Sequence, residues 1–225
     1  MSKLFVSGVK EKNERRRIEI MSNNINVINK AEKDLDIMVN NVDGNIEIVI
    51  LKKKIDIDLL TLKPGEVFKI NGVEYIALEQ LDNNQTAVIR KELLEENMMF
   101  DSDNNNWKIS DIRKRLNEEY LKEIENAFGK DKIVDHTVDL LSLDGLEDYG
   151  TSIDKVSLLT IDQYRKYRRV LGKNLDSWWW LVTPDSTPTG YGSHCVQYVN
   201  SDGHVGYSDC RWNDAGVRPF FILQS

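Results

Sequence analysis

The 225-residue sequence predicts an α+β fold, and three observations carry that prediction. Apolar residues alternate with others on both sides of Asn71-Gly72. Two amphipathic stretches begin at residues able to cap a helix, Ser110 and Thr160. From Trp178 onward only short β-type runs occur between Gly, Asn, Asp and Ser turns. The order gives an α+β domain with a loop-rich end.

The first element expected is a helix. Ile18, Met21, Ile25, Ile28, Leu35, Val39 and Val42 follow alternating three- and four-residue steps, broken only at Glu32, which is the spacing of a coiled-coil seam. Gly44 after Asp43 supplies a left-handed C-cap. A β-branched seam of this kind leans toward a parallel homotrimer, with residues 18–42 as its stalk. The period then changes to two: Ile46, Ile48 and Ile50, followed by Ile55, Ile57 and Leu59, read as strands separated by Lys52-Lys53-Lys54. Residues 1–60 therefore form an N-terminal stalk with connecting strands, and 61–225 the main domain, entered through the Lys63-Pro64-Gly65 turn.

In the main domain Val67 to Ile70 and Glu74 to Leu78 form a β-hairpin around Asn71-Gly72, and Thr86 to Ile89 add a third strand of a meander. Ser110 caps a helix that puts Ile112, Leu116, Tyr120, Ile124 and Phe128 on one face. Thr160 and Gln163 form a capping box for a second helix, which buries Ile161, Tyr164, Tyr167 and Leu171. At least two of Trp178, Trp179 and Trp180 belong to the core, and Val217 to Leu223 form a terminal strand of buried residue types. Arg218 within it is expected to partner a carboxylate or backbone carbonyls rather than to act in chemistry.

Composition narrows the function. A net charge of −7 with no basic stripe argues against a nucleic-acid binder or a protein of anionic membranes. The chain has no apolar run long enough for membrane insertion, and its start lacks a signal-peptide core, so a bacterial cytoplasm is the expected site of synthesis. Two Cys make no disulfide framework, and the three His show no compact ligand spacing. No cofactor is expected, and no enzyme.

The concentrated chemistry lies in residues 177–220, which hold four of five Trp, both Cys and two of three His. Tyr191, Ser193, His194, Tyr198, His204, Tyr207, Ser208, Asp209, Arg211 and Trp212 have the composition of a recognition surface. Tyr, Trp and Arg supply contact area at small entropic cost, and Ser and Asp supply adaptable hydrogen bonds. Asn200 to Gly203 reads as a plain turn.

The order PGEVFKINGVEYIAL, NNNWKISDIRKRLNEEY, DKVSLLTIDQYRKY, SWWWLVTP, VNSDGHV and GVRPFFIL, spanning about 61–225, resembles an uncharacterised domain of bacteria and their phages. That domain is similar to the C-type-lectin-like fold of formylglycine-generating enzymes and of retroelement-diversified phage variable proteins. The resemblance implies a fixed scaffold that presents the segment between WWWLVTP and GVRP as an exposed face. It implies a phage- or prophage-encoded binding protein for a protein or glycan ligand on a cell surface or virion, carried into a phage particle. The alternative is a structural or assembly protein of the particle, contacting a virion partner. Adenine-directed mutagenesis of Asn codons yields Tyr, His, Asp, Ser, Gly, Cys or Arg, and YGSHC (191–195) and YSDCR (207–211) draw only on that set. On this reading Cys195 and Cys210 are free, dispensable members of a variable surface. An enzyme of the formylglycine-generating type would need them as a reactive pair. Trp212-Asn213-Asp214 resembles the calcium motif of sugar-binding lectins, without the Glu-Pro-Asn-type partner segment, and no metal is expected.

Overall fold

The computed structural model describes the backbone of residues 19–21, 24–26, 35–42 and 45–52, and residues 57–225 in full. The chain divides into two units, Met1–Asp56 and Ile57–Ser225.

The described stretches of the first unit are strands. β1 (Glu19–Met21) pairs antiparallel with β2 (Asn24–Asn26), and β3 (Leu35–Val42) with β4 (Asn45–Lys52). The helix expected over 18–42 is absent at these positions, and the rest of that segment lies outside the described residues. The physical reason is legible in the pairing. Val42 faces Asn45, leaving the two residues Asp43-Gly44 between them, and Asp-Gly between β-branched runs is a hairpin signal as strong as it is a helix stop. In the register Ile37 pairs with Ile50 and Val39 with Ile48, and β-branched residues of this kind favour strands. The described part of the seam on which a helical homotrimer was expected therefore belongs to strands. The strand expected through Ile57 and Leu59 is also replaced, by a 3-10 turn at Leu59–Thr61, where Asp58 Oδ1 accepts from the Leu60 amide (3.1 Å).

The second unit is α+β, with mostly antiparallel strands. β5 (Val67–Ile70), β6 (Val73–Leu81) and β7 (Gln85–Arg90) make the expected meander. Asn71 and Gly72 have φ of 49° and 85°, the two left-handed positions of a type I′ turn. A helical stretch follows, α1 (residues 111–128), in which Ser110 Oγ accepts from the Arg113 amide. Its buried positions, Ile112, Leu116, Tyr120, Ile124 and Phe128, recur every four residues. In a pure α-helix each such step overshoots a turn by about 40°. A π segment over Arg115–Tyr120 takes up the drift and keeps all five on one face.

Next come β8 (Ile133–Val134), β9 (His136–Asp139), β10 (Thr151–Asp154), β11 (Val156–Ser157), α2 (Ile161–Tyr167) with both bonds of its capping box, and β12 (Trp179–Pro184). β13 (Cys195–Val199), β14 (Val205–Asp209) and β15 (Phe220–Gln224) complete the unit.

The C-terminal strand lies inside the main sheet, whose order is β11-β15-β7-β6-β5 with β8 also on β15. One side of this sheet meets α1 through an aromatic group: Tyr75 packs edge-on to Phe128 (5.2 Å) and Phe221 (5.8 Å). The other side joins Ile76, Ile89 and Phe220 to Tyr164 and Tyr167 of α2 and to Trp179, Leu181 and Val199 of a second sheet, β12-β13-β14. Trp179 and Trp180 are buried as expected, while Trp178 is half-buried and stacked on Tyr198 at 4.7 Å. Arg218 is buried and satisfies backbone carbonyls, Nε donating to Arg90 O (3.0 Å) and Nη2 to Lys91 O (2.9 Å).

Candidate functional site

The site grows from the β13-β14 hairpin. Its turn closes through Asn200 N to His204 O (2.8 Å), with Gly203 at φ +80°. Cys195 faces Asp209, and the ladder continues one pair further, Cys210 N donating to His194 O (2.7 Å). The loops that leave this end of the hairpin, 191–194 and 209–213, are therefore held side by side.

A third loop joins them from a distant part of the chain. Phe100 N and Asp101 N both donate to Cys210 O, and Asn105 N donates to Ser193 O (2.8 Å). Asn105 is fully buried; its amide donates to Ser186 O and Cys195 O, and its oxygen accepts from Tyr149 Oη. Asp101 accepts from the amides of Asp103, Asn104 and Asp111 and so shapes the loop internally. Sequence reasoning missed this loop. Its signal was the turn-rich run DSDNNN ahead of Trp107, placed nearby only by long-range pairing.

The segment leading to Tyr191 is clamped by two carboxylates. Asp144 accepts from Ser142 and Ser186, and Asp148 from Thr187 and from both the amide and hydroxyl of Thr189. These bonds hold both carboxyls below the usual aspartate range. Ser186 Oγ in turn accepts from the Tyr191 amide (2.8 Å), and Gly190 has no room for a side chain, because a Cβ would lie 2.4 Å from Ser186 Oγ. A rigid loop thus ends in a side chain that is entirely in solvent: Tyr191 is 100% exposed.

The expected recognition residues fall into three groups. Tyr191, Ser193, His194, Asp209, Arg211 and Trp212 gather at the paired ends of the two loops, and Tyr207 lies along the open edge strand β14; Tyr207 and Trp212 are each 62% exposed. Arg211 is set in place by Asp209, Nε to Oδ1 at 2.8 Å and Nη2 to Oδ2 at 2.6 Å. That bidentate bond, with His194 nearby, brings the Asp209 carboxyl down to about 2, so the pair is charged at any physiological pH. His204 is exposed but sits at the opposite end of the hairpin.

The last group is a correction. Ser208 is buried, with an Oγ that makes no hydrogen bond, and Tyr198 lies half-buried under Trp178 and across Gly206, where a Cβ would come within 2.8 Å of its hydroxyl. Both point to the other face of the ribbon, because residues alternate faces along a strand.

The cysteines also differ from expectation. Both are free, but Cys195 shares a ribbon face with Asp209 and Cys210 with His194, so their thiols start from opposite faces. Cys210 is fully buried, and burial pushes its thiol up to about 12. Cys210 is no member of an exposed surface. We expect Cys195→Ser to leave the melting temperature within a few degrees and Cys210→Ser to cost about 1–3 kcal/mol by burying an unmet hydroxyl, as read by thermal unfolding.

His136, on β9, is buried with Nε2 on Ser157 Oγ (2.8 Å) and its ring edge-on to Phe220. Among the described residues no group of three or more His, Cys, Asp and Glu is placed to hold a metal ion. In Trp212-Asn213-Asp214, Asn213 is exposed and Asp214 Oδ1 is buried without a hydrogen bond.

Residues 140–225 match a family described as a domain of unknown function, DUF6273. The match runs from the end of β9 through β15 and includes the WWWLVTP and GVRP segments, the two clamps and most of the exposed face. The meander, α1 and the 101–104 loop lie before it. No curated protein and no solved structure matches the chain.

Proposed function

We propose that the second unit is a lectin-like binding module, encoded by a phage or prophage, whose exposed face recognises a protein or glycan ligand on a cell surface or virion. The observation that carries this reading is the contrast between a fixed frame and projecting aromatic side chains. Tyr191, Tyr207 and Trp212 are the large hydrophobic residues of the 190–214 segment left in solvent, while the loops under them are tied by buried hydrogen bonds. An aromatic side chain of that size gains most by burial against a partner, and a preset loop loses little entropy on binding. The resemblance to diversified lectin-like proteins supports the same face, and the inward position of the C-terminal strand next to the N-terminal meander is compatible with that fold. The geometry of the two thiols favours a binding role over formylglycine-type chemistry.

The test is a triple variant, Tyr191→Ala/Tyr207→Ala/Trp212→Ala. Because all three rings are exposed, circular dichroism and melting temperature should stay close to wild type, each change costing about 0.5 kcal/mol or less. Binding of labelled protein to a panel of bacterial cells, to purified phage particles and to a glycan array should fall by at least about a hundredfold, the loss of two or more aromatic hot spots. Retention of binding by a folded triple variant overturns the proposal. Binding confined to phage particles narrows the ligand to the virion and favours the assembly reading over recognition of a cell surface.

A further inference from the structure

A second feature lies at the other end of the β13-β14 hairpin, in a crevice between the end of α2 and the 199–203 turn. Arg218 forms its floor at 2% exposure, its guanidinium 5.2 Å from the Trp179 ring centre. Nε and Nη2 are occupied by the Arg90 and Lys91 carbonyls, and among the described residues Nη1 makes no hydrogen bond and no carboxylate lies within ion-pair distance of the group. Arg168 lines the same crevice, with Nη1 shared between Tyr164 Oη (2.8 Å) and Gly203 O. Its Nη2 and the Asn174 side chain, with both Oδ1 (2.8 Å) and Nδ2 (2.9 Å), converge over Gly203 at the point where a side chain would begin. Lys173 stands at the mouth, 3.9 Å from Asp176.

The acceptors here, Tyr164 Oη, Gly203 O and Asn174 Oδ1, are all neutral, and among the described residues no carboxylate pairs with Arg218 or Arg168. A buried guanidinium is costly unless a counter-charge meets it, and backbone carbonyls offset only part of that cost. Glu92 and Asp202 are the acids that act through space on Arg218 and Tyr164, and neither makes an ion pair with Arg218 or Arg168. The remaining space, about 10 Å³, is enough for one water-sized atom.

We propose that this crevice binds a small oxyanion, one oxygen seated between Arg218, Arg168 and Asn174. The anion comes either from solution or from a carboxylate side chain of a partner; the chemistry is the same. The site is separate from the aromatic face and does not depend on the reading given to that face.

The full chain is titrated with sodium acetate, inorganic phosphate and N-acetylglutamate amide at constant ionic strength, with thermal unfolding and calorimetry as readouts. Saturable stabilisation is expected. Asn174→Ala, at an exposed position, and Arg168→Gln, which also gives up the bonds to Tyr164 Oη and Gly203 O, should each weaken binding about tenfold, with the unliganded melting temperature of each variant as its own baseline. Tighter binding of N-acetylglutamate amide than of acetate assigns the anion to a partner side chain; tighter binding of phosphate assigns it to a free ion. A rise in stability that does not saturate, or that is the same in both variants, is a general salt effect and overturns the site.

Discussion

Trp180→Ala should lower the unfolding free energy by about 4 kcal/mol, near the middle of the range for deleting a fully buried indole. The ring is completely enclosed, 6.1 Å from Phe100 and 6.5 Å from Tyr198, and Nε1 donates to Met98 O at 2.7 Å. Truncation removes the transfer free energy of the ring, leaves a cavity that the β12 backbone cannot close, and orphans the Met98 carbonyl. The backbone there is held from the other side as well, Trp180 N donating to Gly216 O, and Gly216 cannot move inward because a Cβ there would already lie 2.4 Å from Leu93. The effect should reach the exposed face. Phe100, which leans on Trp180, begins the loop whose amides hold Cys210 O, so the variant should also weaken any ligand binding by Trp212. Trp178→Ala is the control: half-buried, with one stacking partner, it should cost only about 1–2 kcal/mol. Urea unfolding of the three proteins checks both numbers, and equal losses for Trp178 and Trp180 would falsify the division between core and cover.

The features that could be read in the sequence are those that local chemistry decides. The Asn71-Gly72 turn, the Ser110 cap and the Thr160/Gln163 capping box each depend on residues within four positions, and all three form. Over 35–42, the described end of the expected helix, Leu35, Val39 and Val42 satisfy a coiled-coil step, while Leu35, Ile37 and Val39 satisfy a strand step just as well. Only the partner run Ile46 to Ile50 decides between them. Cys210 and Ser208 were unreadable for a related reason. Polar and small residues between turns look exposed, but the 98–101 segment, about a hundred residues upstream, arrives to cover Cys210. Exposure of Tyr191, Tyr207 and Trp212 was legible only as composition. The clamps at Asp144 and Asp148 that fix the first of them involve carboxylates that read as ordinary loop residues.

Asp154→Ala should cost about 3 kcal/mol or more, the scale for removing one partner of a buried, hydrogen-bonded charge. Asp154 is buried at the end of β10, where it pairs with His136 of β9. Oδ2 accepts from the Trp107 indole (2.8 Å) and from Ser152 Oγ (2.8 Å), and Oδ1 from Arg113 Nε (2.8 Å) with Nη2 at 2.7 Å. One carboxylate therefore ties the β9-β10 ribbon to the first turn of α1 and to the 3-10 turn at Trp107 just before it. After truncation Arg113, about a third exposed, can turn to water, but the Trp107 N–H is fully enclosed and cannot, so the indole carries most of the penalty. Asp154→Asn separates charge from shape: it retains a carbonyl for the indole but loses the ion pair, and should recover about half of the lost stability. Trp107→Phe in the Asp154→Ala background removes the orphaned donor, so a double-mutant cycle should show coupling of about 1–2 kcal/mol between the two positions. Additive losses would mean that Trp107 is held by packing against Phe100 alone, and that the link between α1 and the ribbon runs through Arg113.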